Sequence, residues 1–143
     1  MLGRKDFSRD EINHARSDID QQVAAYRGLV SATSASDPKV AAALEEFEPR
    51  FVNGLILALD RYFVHRIRPV AGKDGNPLNE VELLVEALVD HDGVFSGNKV
   101  IKYVPGSSVL KLEVGAPIRL RVEQFEQLAE AFFATLEAKF LAT

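Results

Sequence analysis

The chain has 143 residues, a formal net charge of −4, no cysteine, 47% hydrophobic and 27% charged residues. This is a globular rather than a disordered composition, and the lack of thiols excludes disulfides, thiolate nucleophiles and cysteine-ligated metal centres. The acidic balance argues against a general nucleic-acid binder, which needs a basic footprint. The longest apolar stretch, Phe51 to Leu59, falls well short of the roughly 20 residues that a bilayer span requires.

The opening Met-Leu-Gly-Arg-Lys-Asp has no apolar run after its basic pair, so no signal peptide is expected. One domain over 1–143 in a reducing cytoplasm is the reading that fits length and composition. The first helix is marked by Ser8 with Glu11 three residues on, a capping box. Ile12, Ala15, Ile19, Val23, Tyr26 and Val30 then recur at steps of three and four, one apolar stripe from about residue 9 to 32. After the small polar linker 31–37, Asp37-Pro38 is an N-cap followed by proline at the first helical position. That helix is expected to break or kink at Pro49, which removes a hydrogen bond and crowds the Glu45 carbonyl.

Residues 50–68 read as a central helix, apolar around much of its circumference and therefore buried. It should end before Pro69. The loop Ala-Gly-Lys-Asp-Gly-Asn-Pro follows, then a short helix from about 80 to 90 with Asn79 as its expected cap and Asp92-Gly93 as its end. In 94–121, Leu110, Leu112 and Val114 alternate with Lys111 and Glu113, and Ile118 and Leu120 with Arg119 and Arg121. This alternation predicts a small hairpin across Gly115-Ala116 that must pack on the helices. Phe125, Leu128, Ala129, Phe132, Leu136 and Phe140 define a last helix over about 122–141, with Phe133 and Leu141 widening its apolar face. The fold class is therefore mainly α, an irregular four- to five-helix bundle with a short β-like hairpin before the C-terminal helix.

Three histidines are the first residues to weigh for chemistry. His14 lies four residues before Asp18 on the polar face of the first helix, His91 sits at a helix end where it meets the negative end of the dipole, and His65 lies on the central helix. A metal-dependent enzyme would have to gather His14 and His65 with an acid such as Asp18 or Asp60, with His91 as a further ligand. No HExxH spacing demands that, and a helical di-metal site would need a pair of Glu-x-x-His motifs on facing helices. No GxSxG occurs, and no metal or cofactor is expected.

The strongest local signal is Asp60 to Arg68. At helical spacing Arg61, His65 and Arg68 share one face, Tyr62 and Arg66 the next, and the loop adds Lys73. Arginines with a tyrosine and a histidine can grip carboxylate or phosphate. Against that stands the acidic row Glu82, Glu86 and Asp90, whose self-repulsion should seek those cations within the subunit or across a dimer. Asn53 and Gly54 interrupt the central helix; close packing is the expected reason for the glycine.

The favoured function is a non-enzymatic interaction or structural protein, since no catalytic constellation emerges. Behind it come a binding module for a small anion through Arg61, Tyr62, His65, Arg66 and Lys73, and the metal-dependent helical enzyme. A homodimer is the natural assembly, with Phe133 and Leu141 as candidate contacts. A protein partner or small anion is the expected company, with no nucleic acid and no membrane.

Overall fold

The computed structural model describes residues 6–33, 36–67 and 70–142, and of Arg66 only the backbone. The capping box forms and starts the first helix: Ser8 Oγ accepts from the Glu11 amide at 3.1 Å, and Glu11 Oε1 accepts from the Ser8 amide at 3.3 Å. Helix α1 runs Arg9–Ala32 and buries Ile12, Ala15, Ile19, Val23 and Tyr26, while Val30 at the end of the same stripe stays exposed. Asp37 Oδ1 accepts the Lys39 amide at 2.9 Å and opens α2, Pro38–Leu59.

Of the break or kink expected at Pro49, the break does not occur. Pro49 is buried inside an uninterrupted α2, whose apolar residues Val52, Leu55, Ile56 and Leu59 are all buried. Packing on that scale overrides the local cost of one missing donor. Beyond Leu59 the chain widens into a π-helical turn, Asp60–Val64, and finishes in a short α-helical turn, His65–Ile67.

Helix α3, Pro77–Asp90, begins earlier than its sequence implied. Asn76 is the cap, accepting the Asn79 amide at 3.1 Å, and Pro77 takes the first helical position, where its missing N–H costs nothing. Asn79 instead points inward. Its Nδ2 donates to the carbonyls of Gly72 at 3.1 Å and Asp74 at 2.8 Å, and so ties the preceding loop to the helix. Helix α4, Val122–Phe140, closes the chain.

The core centres on Phe63, whose ring centroid lies 5.1 Å from Phe7, 5.9 Å from Phe132 and 5.8 Å from Phe133. Phe7 reaches it because its backbone is clasped to the end of α4: its amide donates to Phe140 O at 2.7 Å, and its carbonyl accepts from Ala142 at 2.9 Å. Phe133 is thus a core residue, 2% exposed, and no candidate for a dimer contact; Leu141 is half-buried against the same cluster.

The architecture is mainly α, but the predicted hairpin is absent: among the described residues no strand forms. Residues 91–121 are irregular. A single antiparallel bridge pairs Val94 with Pro117, with Phe95 N donating to Ala116 O at 2.9 Å and Gly115 N to Phe95 O at 2.7 Å. The alternation at 110–114 fails because Lys111 takes a left-handed conformation at φ 57°, which no extended strand accommodates.

Candidate functional site

Of the five residues singled out as an anion site, Tyr62 turns inward, Arg61, His65 and Lys73 are exposed, and the Arg66 side chain lies outside the described residues. Over Asp60–Val64 the hydrogen bonding is i→i+5, so the four-residue spacing that put Arg61 and His65 on one face no longer holds. Both side chains are exposed, as is Lys73. Tyr62 turns inward, and its hydroxyl donates to Asp18 Oδ2 at 2.7 Å, a bond that raises its pKa with help from burial. The side chain of Arg66 and all of Arg68 lie outside the described residues, and with them any pairing of this segment to the acidic row of α3.

The histidines are separate. His14 is exposed on α1, and the Asp18 carboxylate beside it in sequence is held by Tyr62 and by Gln22 Nε2 at 3.3 Å. His91 caps α3, 3.9 Å from Glu86. Among the described residues no group of three histidine, aspartate or glutamate side chains could hold a metal ion. Gly54 also departs from expectation: a Cβ there would meet nothing within 4 Å, so close packing does not account for it.

Two buried glutamates escaped sequence reasoning because nothing in their spacing marks them. Glu80, 1% exposed, accepts the backbone amides of Val109 at 2.9 Å and Leu110 at 3.0 Å. Burial raises its pKa, against the pull of those two amides in the opposite direction. Glu48 accepts the Tyr26 hydroxyl at 3.1 Å and the Val122 amide at 2.8 Å, with Arg121 at 3.5 Å. These bonds fasten irregular backbone and the start of α4 to the helices, and they leave neither carboxylate poised for a substrate.

A groove of about 370 Å³ opens between the last turns of α1 and the first turns of α2, lined by Val30, Val40, Ala41 and Leu44 with Tyr26, Glu48 and Arg121. A second, of about 330 Å³, runs along the outer side of α3 between Glu82, Val85, Glu86, Val89 and Asp90. What sets the second apart is its neighbour. Asn98 Nδ2 donates to Glu86 Oε2 at 2.9 Å, and Lys102 bridges to Asp74 with its amide on Lys73 O at 2.7 Å. Residues 98–102 therefore run back along α3, antiparallel to it.

In this strip Ile101 turns in and Tyr103 is half-buried, while Lys99, Val100, Lys102 and Val104 face out. Val89, Val100 and Val104 are 66%, 59% and 57% exposed. The period-two run Val-Ile-Lys-Tyr-Val, 100–104, is the sequence signal that could have located it. The face thus holds Glu82, Glu86 and Asp90 on α3, with exposed Lys99, Val100 and Lys102 on the strip that runs back from Glu86 toward Asp74. No family model, curated protein or solved structure matches the chain.

Proposed function

We propose that the chain is a non-enzymatic protein-interaction domain whose working surface is the face built by α3 and residues 98–104. The observation that carries this reading is the exposure of Val89 on α3 and of Val100 on the strip beside it, among exposed acidic and basic side chains. Apolar side chains grouped on a rimmed face mark association sites. Glu48, Glu80, Asn79 and Tyr62 support the reading from the other side, since each is engaged in holding backbone or a neighbouring helix.

The test is a photo-crosslinking residue placed at Val100 and, as a control, at Gln22 on exposed α1. Position 100 should give a discrete protein adduct that position 22 does not. Equal and diffuse labelling from both positions would remove the reading.

A second reading has its own observation. The π-helical turn Asp60–Val64 falls in the basic segment, and such turns recur at functional sites. Arg61, His65 and Lys73 would there hold a small anion such as phosphate. Phosphate titrated into isotope-labelled protein should shift the amides of 61–65 and 73 together; shifts scattered over the surface would count against it.

A further inference from the structure

The outer side of α2 carries a chemistry of its own, separate from the face of α3. We infer that it is a docking seam for an acidic amphipathic helix of another protein.

Ala43, Phe47, Arg50, Gly54 and Leu57 recur at steps of four and three, so they form one line along the helix. All five are exposed. On the solvent side of a helix this is the spacing with which a second helix packs alongside the first. Phe47, although exposed, stacks on Tyr26 and on Phe51, each with its ring centroid 6.0 Å away, and so stands as a fixed aromatic anchor. Leu57 lies about 15 Å further along the helix. Between them Gly54 leaves a hole in the line: a Cβ there would meet nothing within 4 Å, so no part of this chain fills the space. A helix laid along the seam brings a side chain of its own into that hole.

Charge selects the partner. The chain as a whole has a net charge of −4, but this side of α2 is basic. Lys39 stands one turn before Ala43 and Arg61 four residues beyond Leu57; both are exposed, and among the described residues neither has a carboxylate within ion-pair distance. Arg50, at 3.1 Å, and Arg119, at 3.6 Å, share the carboxylate of Glu46, so that cluster keeps one positive charge. Of the other acids from 39 to 61, Glu45 lines the groove against α1, Glu48 is buried, and Asp60 is half-buried and engaged. Carboxylates flanking the apolar stripe of an incoming helix meet this excess of cations. A second copy of the same seam would set arginine against arginine. Nucleic acid would match the charge and leave Phe47 and Leu57 against phosphate. An anionic membrane also matches the charge, but Arg50 and Gly54 interrupt the apolar stripe that a membrane-surface helix has to bury.

The experiment titrates the isotope-labelled full chain with a synthetic helical peptide of about 20 residues, long enough to span α2, with leucines at heptad spacing and glutamates on its flanks. The control is the same peptide with lysine for every glutamate. The acidic peptide should shift the amides of 43–57 together and leave those of 98–104 in place. Gly54→Gln fills the hole where the isolated chain has open space, and should raise the dissociation constant about tenfold or more with no fall in melting temperature. Arg50→Glu should weaken binding to a similar degree, and the lysine peptide should then bind the variant better than it binds the wild type. No shift with the acidic peptide, equal shifts with the lysine peptide, or an affinity indifferent to both substitutions overturns the inference. Vesicles of phosphatidylserine and phosphatidylcholine that broaden the α2 amides when the acidic peptide does not overturn it in favour of a membrane surface.

Discussion

The helical scaffold and the irregular segment 91–121 are held by opposite means. In α1, α2 and α4 the backbone satisfies itself, and the side chains supply apolar surface that meets around Phe63. Residues 91–121 lack a ladder and pair piecemeal, by scattered backbone bonds such as Phe95 N to Ala116 O and by side-chain acceptors inside and outside the segment. Glu80 takes the amides of Val109 and Leu110, Asn98 Oδ1 those of Val100 and Ile101, and the Leu112 carbonyl receives the Tyr103 hydroxyl at 2.7 Å. Buried backbone must be paired, so a segment without regular structure shifts part of that duty to polar side chains, its own Asn98 and Ser108 and the Glu80 of α3. Apolar deletions should therefore damage the scaffold, and polar deletions the segment.

The largest effect belongs to the scaffold. Phe63→Ala removes the ring on which Phe7, Phe132 and Phe133 converge, and should cost about 3–5 kcal/mol in urea unfolding. The loss should be global, with hydrogen-exchange protection falling in all four helices. A loss confined to α4 would show that the aromatic cluster is peripheral.

Glu80→Ala is the matching cut in the irregular segment. It strands two half-buried amides, at a net cost of about 1–3 kcal/mol, and exchange should accelerate first at Val109 and Leu110. The pH dependence sharpens the point. Because burial raises the carboxyl of Glu80 in the folded state, folding takes up a proton there. Its contribution to stability is therefore most favourable below the ordinary glutamate pKa, and it declines as pH rises from that value through the raised one. Glu80→Gln cannot ionise and should flatten this part of the stability profile. A profile unchanged by the substitution would show that Glu80 does not titrate in that range.

The same division decided what the sequence disclosed. The capping box at Ser8, the Asp37-Pro38 start and the apolar stripes of α1 and α4 are local patterns, and they formed except at Val30, which stays exposed. Pro49 and Asn79 misled because tertiary packing decided them: a buried proline continues α2, and an asparagine read as a cap braces a loop. The Leu110-to-Val114 alternation looked like a strand, yet the left-handed turn at Lys111 divides it. The candidate face was only half legible. Its acidic row is a visible helical pattern, but the antiparallel course of 98–102 beside it depends on Asn98 and Lys102 reaching α3 and its loop, which no spacing announces.

The smallest effects separate the two regions by sign. Gly54 sits in the interior of α2, and a Cβ there would meet nothing within 4 Å. Gly54→Ala should therefore stabilise by about 0.5–1 kcal/mol, since alanine loses less backbone entropy on folding into a helix. Gly115, at φ 97°, directs its amide to Phe95 O at 2.7 Å, and a side chain there strains the backbone although the surrounding space is open. Gly115→Ala should destabilise by about 1–2 kcal/mol. Paired thermal melts decide it: opposite shifts mean that glycine is dispensable where the helix supplies its own bonds and required where the segment has to turn, whereas a destabilising Gly54→Ala would point to a contact on α2 that the isolated chain does not contain.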